Sequence, residues 1–155
     1  MKPLKQQKEI WVLGSTGYVG AQLTKLLIQK HRDGGFLGRI STLGHRTILP
    51  WIMQNTNFFM SSLGKIQVQK FVDYPPDTVF HCARLAGRTD RSRRAAAKQG
   101  YLANVRLRSV FENLPKAPTV VYCSGTLMYG NTVAIANEEQ PLSPIAYARA
   151  YEYAE

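Results

Sequence analysis

The clearest chemical signal in the chain is the segment Gly14-Ser15-Thr16-Gly17-Tyr18-Val19-Gly20. It follows a short apolar run, Ile10-Trp11-Val12-Leu13. It leads into a segment in which Val19, Leu23, Leu26 and Leu27 recur at helical spacing through about Lys30. A strand, a glycine turn and a helix in that order make a phosphate site. The turn lets backbone N–H groups approach an anion, and the positive end of the helix dipole favours its charge. The spacing is Gly-x-x-Gly-x-x-Gly. The first glycine serves the tight turn, the second lets a pyrophosphate approach the backbone, and the third permits close packing of helix on strand. The loop therefore predicts a dinucleotide ligand.

Dinucleotide sites usually carry a carboxylate at the end of the second strand, where it holds the ribose 2′-OH. Here that strand ends Leu43-Gly44-His45-Arg46, with no acid. Arg46 is of the right type to pair with a 2′-phosphate, so the expectation leans to NADP over NAD. A plain surface arginine is the alternative. Cys82 and Cys123 both fall in apolar strand-like runs and read as small buried hydrophobes. A disulfide or redox pair between neighbouring strand ends is the other reading. Neither belongs to a Cys-x-x-Cys pair, and His and Cys do not cluster at metal-ligand spacing.

Lys plus Arg number 20 against 10 for Asp plus Glu, a formal charge of +10. Such a field attracts phosphates and acidic partners in general. Part of it is concentrated in Arg84, Arg88, Arg91, Arg93, Arg94 and Lys98, read as a solvated basic loop or a contact to substrate or cofactor phosphate. No aromatic residues interleave with these arginines, which disfavours a nucleic-acid site. No run approaches the ~18–20 apolar residues of a membrane span. The basic start, Met1 to Glu9, leads into a strand without a small-residue cleavage site, so no signal peptide is expected and the default location is cytoplasmic.

The elements that must position these residues alternate. Arg39 to Leu43 reads as a second strand, after a break at Asp33-Gly34-Gly35. Asn57 to Ser61 reads as a third, followed by a short helix from Leu63 to Val72, although Ile66-Gln67-Val68-Gln69 also alternates like a strand. Tyr74-Pro75-Pro76-Asp77 is a turn. Thr78 to Ala83 is the fourth strand. A helix follows from about Ala95 to Leu114, with Ala103, Leu107, Val110, Phe111 and Leu114 on its apolar face. Thr119 to Cys123 is the fifth strand, and Ser143-Pro144 opens a last helix. Strands alternating with helices imply a parallel sheet covered on both faces, a doubly wound α/β domain.

With these segments in place, the chain resembles the extended or atypical short-chain dehydrogenase/reductase family, which includes the NAD-dependent epimerases and dehydratases. Gly14 to Gly20 looks like the family's cofactor loop. Asp77 to Ala83 looks like its fourth strand, whose end, at Cys82, Ala83 and Arg84, would line the cofactor pocket. Asn104 falls where the family has a helix asparagine. Val121-Tyr122-Cys123-Ser124 with Tyr129-Gly130 looks like the fifth strand and its loop. Pro141-Leu142-Ser143-Pro144 with Tyr147, Arg149 and Glu155 looks like the catalytic helix. The resemblance implies one Rossmann-like domain over residues 1–155, with about five strands in the order 3-2-1-4-5. It also implies a nicotinamide cofactor and a sugar nucleotide or related hydroxyl or carbonyl substrate.

The departures from the family are as specific as the matches. The family has a Lys four residues after the catalytic Tyr, where it lowers the Tyr pKa; here Tyr147 is followed at that spacing by Tyr151. A free Tyr titrates near ~10, so only about one part in a thousand is phenolate at pH 7. The family's Ser or Thr position is Gly125, with Ser124 and Thr126 as the flanking hydroxyls that could substitute. The family's extended members continue for roughly as long again. On that comparison the last strands and the substrate lobe are expected to be absent, leaving an exposed sheet edge open to homodimerisation. Three functional readings follow. The first is a dinucleotide-binding domain without catalysis. The second is an active oxidoreductase, epimerase or dehydratase using Tyr147. The third is a structural remnant that binds nothing well.

Overall fold

Five strands form one all-parallel sheet in the order β3-β2-β1-β4-β5, the order expected from the resemblance. The structure is a computed structural model that describes residues 8–36, 38–85, 89–130, 137, 139–145 and 148, the side chains of Asp90, Thr126 and Leu127 excepted. Along the chain lie β1 (Lys8–Leu13), α1 (Tyr18–Arg32), β2 (Gly38–Gly44), α2 (Pro50–Met53), β3 (Asn57–Met60), α3 (Gln69–Asp73), β4 (Thr78–His81), α4 (Asp90–Glu112) and β5 (Thr119–Tyr122). Two 3₁₀ turns, Leu63–Lys65 and Thr126–Tyr129, complete the set.

β1 is central because it is apolar toward both faces. Trp11 and Leu13 pack on one side with Phe71 of α3 and Leu107 and Phe111 of α4. Val12 packs on the other with Leu27 and Ile28 of α1 and with Ile40. Helices thus cover both faces, as a parallel sheet requires. The Trp11 ring stacks on Phe59 at 5.2 Å, and its indole N–H donates to the Tyr74 carbonyl at 2.8 Å. Phe71 meets Phe111 edge-on, with ring centres 5.2 Å apart.

The N-terminal edge of the sheet is held by charge. The buried Glu9 carboxylate accepts from the Arg39 guanidinium at 2.8 Å and from the Ser41 hydroxyl. A buried charge needs such partners. The Asp77 carboxylate accepts from Lys116 at 2.7 Å and from the Glu9 amide at 3.0 Å. The Lys116 hydrogen bond, followed by that amide, holds the Asp77 carboxyl below its ordinary value.

The structure departs from the sequence expectations at several places. The buried stripe of α1 is Gly20, Thr24, Leu27 and Ile28, while Val19 and Leu26 are about half exposed. The helix is rotated so that Gly20 faces the glycine loop. The segment Leu63 to Val72 is neither one helix nor a strand. A 3₁₀ turn and the short α3 are separated by a bend, and the Arg106 guanidinium donates to the carbonyls of Gly64 and, at 3.0 Å, Ile66. Pro50, at the first position of α2, begins a helix that periodicity did not signal.

α4 starts at Asp90 rather than Ala95, behind a capping box in which the Thr89 hydroxyl accepts from the Ser92 amide at 3.2 Å. Arg91, Arg93, Arg94 and Lys98 therefore ride on a helix and not on a loop; Arg88 lies outside the described residues. Ser143 does not cap a helix opening at Pro144. Its amide donates to the Met128 carbonyl at 2.8 Å, and Pro144 and Ile145 are not helical.

Phe71 is fully buried between Trp11 and Phe111. Phe71→Ala is expected to cost about 3–5 kcal/mol of folding stability, read as a lower urea midpoint with an unchanged slope. A loss below about 1 kcal/mol would mean that this aromatic cluster does not hold α3 and α4 to the sheet.

Candidate functional site

The C-terminal ends of β1, β2 and β4 meet the start of α1, and a cleft of about 450 Å³ opens there. Open parallel sheets bind ligands at this edge. Gly14 makes the turn with φ +82°, a left-handed conformation that side chains rarely adopt. Its amide and that of Ser15 both donate to the Leu43 carbonyl, at 2.9 and 3.0 Å. A Cβ at Gly14 would lie 2.7 Å from the backbone N and Cα of Ala83. A Cβ at Gly20 would lie 2.2 Å from the Gly14 carbonyl oxygen. These two glycines are required by the protein's own packing.

Gly17 is different. It lines the cleft, its φ is an ordinary −79°, and the nearest atom to an added Cβ would be the Gly14 oxygen at 3.4 Å. Nothing among the described residues demands glycine there. A glycine at such a place leaves room for a ligand to approach the backbone. Gly17 is also the N-cap of α1, with no side chain capping the helix and no acidic residue in its first turn. The N–H groups of that turn thus remain available for an anion. The loop fits a pyrophosphate on these grounds.

The other expected positions divide. Gly14, Thr16, Gly17, Arg46, Cys82, Ala83 and Arg84 line the cleft together. Ser15 is fully buried beneath the loop, its hydroxyl without a partner among the described residues. Tyr18 and Val19 are exposed in the first turn of α1 and are not part of the lining, so what they offer a ligand is backbone.

Asn104 lies elsewhere. It is buried in α4, and its Oδ1 is 3.0 Å from His81 Nε2. Both line a second cavity of about 340 Å³ between α4 and the β4–β5 edge. Ser124 is exposed just after β5, and Thr126 opens the second 3₁₀ turn. Tyr147, Arg149 and Tyr151 lie outside the described residues. Gly125 sits against Arg84: a Cβ built there would be 3.4 Å from the guanidinium Nη2.

The sequence reading did not single out His45, Thr47, Ser61, Leu63 or Leu85 as lining residues. Their only sequence signal is adjacency to the ends of β2, β3 and β4. The described lining carries the guanidinium groups of Arg46 and Arg84 beside the His45 ring and contains no carboxylate. Among the described residues no group of three or more His, Cys, Asp or Glu could hold a metal ion. No helix among them is long and apolar enough to cross a membrane.

A match to the sequence pattern of the NAD dependent epimerase/dehydratase family runs over residues 10–155. The chain belongs to that family. No curated protein matches it. The fold is that of several solved family structures. One is a UDP-glucose 4-epimerase of Thermotoga maritima with UDP-glucose, with TM-score 0.73, 18% identity, and coverage of 94% of this chain and 48% of that one. A second is an ADP-L-glycero-D-manno-heptose-6-epimerase of Helicobacter pylori, with TM-score 0.74, 19% identity, and coverage of 97% and 51%. A third is the enzyme WbmG of Bordetella bronchiseptica in complex with NAD, with TM-score 0.72, 15% identity, and coverage of 97% and 48%. The chain spans about half the length of these structures.

Beneath the site, burial pushes the His81 imidazole below its ordinary value of 6.5, partly offset by the hydrogen bond to Asn104. The unfolded chain therefore takes up a proton first as pH falls. The stability this group contributes is complete above about pH 6.5 and is lost as pH drops from there toward the folded value. Unfolding free energies from urea titrations between about pH 8 and about pH 5 should fall below pH 6.5, by up to about 1 kcal/mol per pH unit. His81→Phe should flatten that window, and an unchanged slope in the variant would remove His81 as its source.

Proposed function

We propose that this chain is the dinucleotide-binding half of an epimerase/dehydratase-type short-chain dehydrogenase, holding a nicotinamide dinucleotide at the Gly14–Gly20 loop. The observation that carries the reading is Gly17, a glycine with ordinary backbone angles that lines the cleft and that no contact among the described residues requires. The neighbour WbmG, whose structure is in complex with NAD, supports it. The amides at the start of α1 bind the pyrophosphate. Ala83 and Cys82 form the wall at the end of β4, and Arg46 faces the adenosine ribose. Bound nicotinamide would supply hydride transfer.

With Arg46 and His45 in the lining and no carboxylate there, the reading favours NADP over NAD. Binding is the function proposed for these 155 residues, without turnover. The family's Lys position is Tyr151, so Tyr147 has no Lys at that spacing to lower its pKa, and Gly125 offers no hydroxyl. Substrates such as the sugar nucleotides named for the neighbours belong, on this reading, to the longer proteins.

Fluorescence titration with NADPH and NADH tests it. Saturable binding of NADPH tighter than NADH is expected, and no saturation with either would overturn the proposal. Arg46→Ala should weaken NADPH by roughly 10–100-fold, the worth of a charged hydrogen bond, while NADH changes little. Equal weakening of both would take Arg46 out of cofactor choice.

A further inference from the structure

Cys82 and Cys123 occupy equivalent places on adjacent strands. Each follows directly on the paired residues His81 and Tyr122 that end the β4–β5 ladder. Their backbones are held there: the Cys82 amide donates to the Leu13 carbonyl at 2.9 Å, and the Cys123 amide to the His81 carbonyl at 3.0 Å. Their sulfurs are 3.6 Å apart, and both thiols are free. Neighbouring strands run about 4.8 Å apart, within the roughly 4.4–6.8 Å between Cα atoms that a disulfide accepts. Closing the bond needs the sulfurs to approach to about 2.0 Å, a movement within reach of side-chain rotation.

The two thiols are not equivalent. Cys123 is exposed and Cys82 is half-buried in the wall of the cleft. Burial, reinforced by Cys123, pushes the Cys82 thiol up to about 12, which keeps it protonated and slow toward outside reagents. The exposed sulfur meets an oxidant first, and the buried one stands beside it.

We propose that Cys82 and Cys123 form a redox-responsive pair that closes to an intrachain disulfide when a hydroperoxide reaches the Cys123 sulfur. In the first step the Cys123 sulfur attacks the peroxide. An S–O bond forms, the O–O bond breaks, and one water or alcohol leaves with the thiol proton. In the second step the Cys82 sulfur attacks the resulting sulfenic acid. The S–S bond forms, the S–O bond breaks, and the departing hydroxide takes the Cys82 proton as water. Two thiols are oxidised by two electrons in total and one peroxide is reduced. Proximity offsets the low reactivity of the Cys82 thiol, because the attack is intramolecular. The site stands whether or not the cleft holds a dinucleotide.

Treating the full 155-residue chain with hydrogen peroxide, then alkylating free thiols and weighing the intact protein, tests the pair. The expected product has lost about 2 Da, carries no alkylated cysteine, and returns to two alkylatable thiols after dithiothreitol. Its melting temperature should rise by about 10 °C, since the bond closes a long loop in the unfolded chain. Cys82→Ser should instead gain about 16 or 32 Da at Cys123, as sulfenic or sulfinic acid. Three results would each overturn the proposal: wild-type protein gaining oxygen as the variant does, disulfides forming only between chains, or both thiols staying alkylatable.

Discussion

The contact between Gly20 and the Gly14 carbonyl is the constraint on which the rest of the site depends. With any side chain at 20 the first turn of α1 could not lie against the end of β1, because a Cβ would sit 2.2 Å from that oxygen. The contact fixes the rotation of the helix. It places Gly20, Thr24, Leu27 and Ile28 on the sheet and turns Val19 and Leu26 outward. It also sets the start of α1 at the mouth of the cleft, so that the positive end of the helix dipole faces that opening. A similar steric limit at Gly14 presses the loop onto Ala83 at the end of β4. The position of one helix and the shape of the cleft thus follow from two missing side chains.

Charge and apolar burial divide the sheet along its strands. Glu9, Arg39, Asp77 and Lys116 are knotted together at the N-terminal end, with their hydrogen bonds satisfied within the chain. At the C-terminal end the described cleft residues include Arg46 and Arg84, and no carboxylate is among them. Glu9 and Asp77 lock strands together at one end, and no carboxylate is among the described residues of the cleft at the other. That polarity is a property of the fold's two ends, and the formal charge of +10 for the whole chain does not reveal it.

Much of this was legible in the residues themselves. Most strands announce themselves as short apolar runs, and the glycine loop carries its own spacing, so fold class and cleft location follow from local pattern, while the strand order comes from the family resemblance. What was not legible depends on partners far apart in the chain. The bend after Leu63 is set by Arg106, about forty residues on, which captures the carbonyls of Gly64 and Ile66. Leu23 and Leu26 sit at helical spacing, yet only a steric contact elsewhere decides which of the two turns inward. The start of α4 was hidden because its first turns are polar, and the Thr89–Ser92 box lacks the Glu or Gln that would have marked it. Asn104 lies on α4 as the family resemblance implied, but its partner is His81 beneath the sheet edge and not the cleft.

Arg84 and Gly125 carry a consequence for how this sequence can vary. The guanidinium of Arg84 rests in the space a side chain at 125 would enter, with Nη2 and Nη1 at 3.4 and 3.5 Å from that point. A side chain placed at 125 would come directly against that guanidinium. Substitutions at 84 and 125 are therefore expected to be non-additive, because the room for a side chain at 125 depends on where the Arg84 guanidinium lies.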